Sequence, residues 1–189
     1  MKKQNLILPV IFSLGLLLMS CSAIGSDSKK TSDAAKPTPA VAEKRSYDDK
    51  AAFPIHAEGV QIYQCIDGTS EWKLKEPKAV LYDDNGKPVG HHFRDAGGPA
   101  WQSEADGNPT SKVVADTAKR SVAADPLGEN IDMLWLGVKS TEGTGVFGKI
   151  KSIQRVNTVG GKAPAGACET DKEVSVNYTA TYYFYVAKP

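Results

Sequence analysis

Four residues in three short stretches carry side chains suited to recognition or catalysis. Gly97-Gly-Pro-Ala-Trp101 offers an indole as a stacking face. Arg155-Val-Asn-Thr-Val-Gly-Gly161 offers a bidentate guanidinium donor at Arg155 and an amide at Asn157. His92, within Val89-Gly-His-His-Phe93, adds an imidazole that could serve as a general base if an acid or nucleophile lay beside it. Together His92, Trp101, Arg155 and Asn157 are the candidate lining of a small polar pocket. Glycines 97, 98, 160 and 161 allow close backbone approach there, and both glycine-rich stretches read as loops. The same residues also fit plain loop architecture, with Asn157 and the glycines making turns and Arg155 paired at the surface.

Other constellations are weaker. Gly143-Thr-Gly-Val-Phe-Gly148 matches the spacing of a dinucleotide-binding fingerprint. That fingerprint needs a helix next, so that its N-terminus can take the pyrophosphate. Lys149–Val156 reads as a strand instead, so the glycines are expected to make a hairpin turn. In the pair His91-His92, successive strand side chains point to opposite faces, so the two cannot chelate one ion together. Val89, His91 and Phe93 then share the face expected to be core, which leaves His92 exposed. The chain contains no G-x-S-x-G, H-E-x-x-H or P-loop pattern. No metal and no cofactor is expected.

The three cysteines divide into one and two. Lys2 and Lys3 precede a mostly apolar stretch from Leu6 to Met19, and no acidic residue occurs before Asp27. This has the size and flanks of a signal-peptide h-region and is short for a membrane span. It ends in Leu18-Met-Ser-Cys21, which resembles a bacterial lipobox. The resemblance implies cleavage before Cys21, acylation of its thiol and a lipid-anchored protein of the cell envelope. Ser22, where aspartate would signal inner-membrane retention, implies the outer membrane in a Gram-negative host. Two or more acyl chains make a stable anchor, at about 0.8 kcal/mol per buried CH₂. An exported chain with Cys65 and Cys168 remaining is expected to pair them in a disulfide.

Composition frames the rest. The chain has 189 residues and a formal net charge of +1. Removing residues 1–20 takes away Lys2 and Lys3 and no acidic residue, which moves the charge from +1 to −1. Neither value supplies a field for capturing nucleic acid. Residues 21–46, with Cys21 at their head, are rich in Ser, Ala, Lys, Thr, Asp and Pro and read as a disordered tether. Residues 47–189 read as one β-rich domain. Strands are expected over 59–65, 71–74, 79–82, 89–93, 112–116, 132–139, 146–156 and 174–186, with a hairpin turn at Asp83-Asp-Asn-Gly86. The alternation slips phase near Ser152, which predicts a bulge. In the last strand Val174, Tyr178, Tyr182 and Phe184 fall on one face, and Asn177, Thr181, Tyr183 and Tyr185 on the other. Short helices could fit only at 117–124 and 126–132.

Read in order, Gly59-Val-Gln-Ile-Tyr-Gln-Cys65, Trp72, Gly90-His-His-Phe93, Gly98-Pro-Ala-Trp101, Gly145-Val-Phe147, Ile153-Gln-Arg-Val-Asn-Thr-Val-Gly-Gly161, Cys168 and Tyr178-Thr-Ala-Thr-Tyr-Tyr-Phe-Tyr185 resemble the family of domain of unknown function 3455, found in secreted bacterial and fungal proteins. The resemblance spans roughly residues 53–187. It implies an exported β-rich domain and brings no activity with it. The family's single histidine corresponds to His92, and Arg94-Asp-Ala-Gly97 departs from the family pattern as a small insertion.

The expected fold is therefore all-β: an antiparallel sandwich or partly closed barrel with at most short helices. The expected role is a binding or structural module of the envelope, held to the membrane by acyl chains on Cys21. Its ligand could be an envelope polymer, a small molecule or a protein, and no nucleic acid is expected. The alternative is a hydrolase or other enzyme acting on an envelope or extracellular polymer through His92 and Arg155.

Overall fold

The computed structural model describes residues 49–105 and 108–187. The signal peptide of residues 1–20, Cys21 and the tether lie outside the described residues. Eight strands succeed one another: β1 (Asp49–Ile66), β2 (Glu71–Tyr82), β3 (Pro88–Asp95), β4 (Gly98–Ala105), β5 (Asn108–Ala123), β6 (Met133–Gly143), β7 (Ile150–Gly160) and β8 (Glu173–Ala187). Each pairs antiparallel with the next, and β8 returns to pair with β1, which closes an up-and-down barrel. Closure leaves no free sheet edge. Between the two architectures expected, the chain takes the barrel.

The inside of the barrel holds the core. Leu81, Phe147, Ile153 and Phe184 are fully buried. The outer surface carries Glu58, Lys78 and His91, all exposed or half-exposed. A barrel that crosses a membrane has the reverse arrangement, apolar outside and polar within. Among the described residues no helix is long and apolar enough to cross a membrane.

The two ends of the barrel differ. At one end Phe53, Phe147 and Phe184 stack with centroid separations of 4.6–6.3 Å and plug the interior. The turn that supplies Phe147 is the Gly143–Gly148 motif. The Phe147 amide donates to Ser111 Oγ (2.9 Å), and Gly143 has a φ of +76° where an added Cβ would lie 2.3 Å from the Thr110 carbonyl. The glycines thus let a turn fold tightly onto β5, and β7 begins directly after it. The chain also enters β1 at this plugged end. The opposite end carries the β1–β2, β3–β4, β5–β6 and β7–β8 connections. There Cys65 and Cys168 form the expected disulfide, with their Cα atoms 5.7 Å apart. Backbone bonds from Cys65 N to Lys172 O and from Cys168 N to Ser70 O bind the longest connection to the first.

Several segments differ from expectation. Of residues 97–101, expected as a loop, 98–101 open strand β4. Gly98 and Pro99 are its first two residues, the position where a strand tolerates proline. Of the two possible short helices, 117–124 continues β5 as far as Ala123, and 126–132 is turn and connection before β6. The stretch after Arg155 is the end of β7 rather than a loop, with a register shift between Val156 and Val159. The bulge expected near Ser152 is present between Ile150 and Ser152. A further shift between Asp116 and Arg120 inserts three residues into β5 and reverses the phase of the strand beyond it, so that Arg120 pairs opposite the inward-facing Leu136.

Candidate functional site

The end of the barrel that the phenylalanines do not plug opens into a cavity of about 360 Å³. His92, Trp101 and Arg155 all line it. β3, β4 and β7 bring them together through register. His92 sits opposite Trp101, and Arg155 opposite Tyr182 of β8. Asn157 does not join them. It has a φ of +51° at the β7 bulge and lines a separate, shallow surface groove with His56, Tyr82 and Asp84. In that groove His56 Nε2 lies 2.9 Å from Asp84 Oδ1, an exposed pair of the kind that contributes little.

The orientation of the adjacent histidines is opposite to the expected one. His92 is 3% exposed and faces the interior, whereas His91 is exposed and its Nδ1 lies 2.9 Å from Glu104 Oε1. The pairing of Gly90 with Ser103 and of His92 with Trp101 sets this face, and it leaves Val89 and Phe93 half-buried on the other. Counting apolar neighbours favours the wrong phase, because the partner strand provides the core contact. His92 stacks on Trp101 at 4.2 Å with planes 8° apart, and Tyr182 meets the stack edge-on.

His92 Nδ1 lies 2.8 Å from the Ala100 carbonyl oxygen, which can only accept, so Nδ1 carries the proton and donates. Nε2 is then a bare acceptor. Burial drives the imidazole pKa down to about 3; the Ala100 bond opposes this and the Arg155 charge assists it. His92 is neutral at pH 7. The Tyr178 phenol is pushed well above its ordinary value, chiefly by burial and then by the neighbouring Tyr182 phenol. Burial also raises Tyr63, whose hydroxyl donates to the Gly161 carbonyl at 2.7 Å.

Around these groups the floor of the cavity has polar atoms that the protein leaves unmatched. Gln61 is 1% exposed, and neither its amide oxygen nor its amide nitrogen has a hydrogen-bond partner. The same holds for Trp101 Nε1, while the Tyr182 hydroxyl has the buried Tyr178 hydroxyl as its neighbour. Buried polar groups are nearly always paired, and each unpaired one costs about 1–3 kcal/mol. Three such atoms belong to two side chains that line the cavity, the Gln61 amide and the Trp101 indole, and the protein itself supplies no partner for them. Sequence reading missed Gln61. The signal was its position in β1, between Val60 and Ile62, where the polar residue faces inward and the apolar pair outward.

The walls are held in place. The Arg155 guanidinium donates through Nε and Nη2 to the Asp132 carbonyl, at 3.1 and 2.8 Å. The connection that presents Asp132 is itself tied down. Asp125 accepts from the Glu129 and Asn130 amides, Asn130 Oδ1 accepts from Gly160 N, and Ile131 N donates to Gly160 O. Among the described residues there is no cluster of three or more His, Cys, Asp or Glu side chains that could hold a metal ion.

A family model described as Protein of unknown function (DUF3455) matches residues 46–186. No curated protein and no solved structure matches the chain.

Proposed function

The chain belongs to the family described as Protein of unknown function (DUF3455), and since that membership brings no activity with it, we propose from the site that the barrel is a binding module of the cell envelope, tethered through acylated Cys21. Its ligand is a small polar molecule, or the end of an envelope polymer, seated in the open mouth. The observation that carries this reading is the open cavity on which His92, Trp101, Arg155 and the unmatched Gln61 side chain converge. An eight-stranded barrel has room for side chains alone or for one small ligand. Here the phenylalanines fill one half, and the other half is lined with hydrogen-bonding groups.

The alternative, hydrolysis with His92 as base, gets less support. A histidine of pKa about 3 is a weak base at pH 7, where efficient proton transfer calls for a value near the working pH. Among the described residues, Asp132 is the only carboxylate lining the cavity.

The test is Gln61→Leu in the full-length, detergent-solubilised chain, with thermal shifts measured against a panel of small polar compounds and cell-wall fragments. Replacing an unmatched amide by an apolar side chain of similar size raises the stability of the unliganded protein by about 1–3 kcal/mol. It also abolishes the shift given by any compound that binds the wild type. A variant less stable than wild type, or a ligand shift equal in both, overturns the reading.

A further inference from the structure

Three arginines reach the same cavity: Arg94 from the end of β3, Arg120 from β5 beyond its three-residue bulge, and Arg155 from β7. Among the described residues, none of the three forms an ion pair with a carboxylate. Lys75, Lys112, Lys119 and Lys172, by contrast, all do. Asp132 is the single acidic residue among the described ones that line the cavity, and its main-chain oxygen rather than its carboxylate holds Arg155. Two of the arginines are also pre-oriented by the same device. Arg94 donates from Nε to the Lys75 carbonyl at 2.5 Å, as Arg155 does from Nε and Nη2 to Asp132. With Nε committed to a carbonyl, the Arg94 terminal nitrogens and Arg155 Nη1 remain for a ligand. Such edges match carboxylate oxygens, and a fixed guanidinium loses little entropy on binding.

The floor is of a different kind. Gln61, Trp101 Nε1 and His92 Nε2 are uncharged and mix donors with acceptors. They suit hydroxyl groups, which both donate and accept. Between floor and mouth, Leu74, Pro77 and Leu134 give apolar wall that can pack against C–H faces. The volume, about 360 Å³, is on the scale of one or two sugar rings.

Resting on the binding reading above, we infer that the ligand is a sugar acid. Its carboxylate lies among Arg94, Arg120 and Arg155 at the mouth, and its hydroxyls meet the Gln61, Trp101 and His92 polar atoms at the floor.

The test is calorimetric titration of the full-length chain in detergent with glucuronate, galacturonate, their neutral parents glucose and galactose, and glucose 6-phosphate. The expected result is uronate binding at least about tenfold tighter than the neutral parent, a difference of about 1.4 kcal/mol. It weakens as salt rises and falls about tenfold in Arg94→Gln/Arg120→Gln, two exposed positions whose replacement leaves the fold intact. Equal affinity for neutral sugar and uronate overturns the inference, as does binding of the sugar phosphate without the uronates. So does silence from the whole set. If another compound shifts the wild type but not Gln61→Leu while this set is silent, the ligand class is wrong and the binding reading stands.

Discussion

His92 shows how much one residue's setting decides. Its ring is stacked on Trp101, edged by Tyr182 and neutral by burial. Folded, it takes a proton only near pH 3; unfolded, it does so near 6.5. Between those values the unfolded chain binds a proton that the folded chain rejects, so acidification favours unfolding. The stabilising contribution is complete above about 6.5 and is lost as the pH falls toward 3. Urea unfolding at pH 7.5 and 4.5 should differ by about 2–3 kcal/mol in the wild type. In His92→Phe, which keeps the aromatic stack, most of that difference should vanish. Asp83, Asp95, Asp116 and Asp125 are all held below their ordinary value, chiefly by hydrogen bonds, so the stability they contribute is lost mainly below this window and in wild type and variant alike. A wild-type stability that stays flat between the two pH values would mean that His92 is not buried in its neutral form.

At the level of elements, β8 was the most legible strand, because thirteen alternating residues leave one face for the core and one for the outside. Tyr178, Tyr182 and Phe184 do turn inward as that alternation demands. β4 was illegible for the opposite reason. Its first residues, Gly98 and Pro99, are turn formers, and only pairing with Arg94 and Asp95 makes them strand. The candidate cavity was partly legible: His92, Trp101 and Arg155 meet there, while Asn157 is carried off by the β7 bulge. Arg94, Arg120 and Asp132 carry no local motif. They come together only because the barrel closes and the β5 bulge reverses phase. The disulfide also belongs to this scale, since it clamps the end of β1 to the connection before β8 across a separation of 103 residues. In the chain-entropy account such a loop stabilises by about 4–5 kcal/mol. Reduction should therefore lower the melting temperature by about ten degrees or more, as read by circular dichroism with and without reductant. An unchanged transition would show that the bridge constrains nothing the barrel does not already hold.

The whole molecule combines a closed barrel with a proposed attachment at Cys21. Attachment calls for no electrostatic help, since the formal charge stays near zero with or without residues 1–20. Metabolic labelling with a palmitate analogue should mark the wild type and leave Cys21→Ala unlabelled; equal labelling of the two would remove the anchor. The core plug adds a constraint of a topological kind. Phe53, Phe147 and Phe184 make the barrel a blind tube, open at one end only. A linear polymer cannot thread through a tube that has no exit. It can enter only by a terminus, with the rest of its length trailing back out of the mouth, on the side of the barrel away from the strand end where the chain enters. If the occupant is the end of a polymer, as proposed, the barrel counts chain ends and is blind to the interior of a chain, so the same mass of polymer offers it more targets each time a bond is cut.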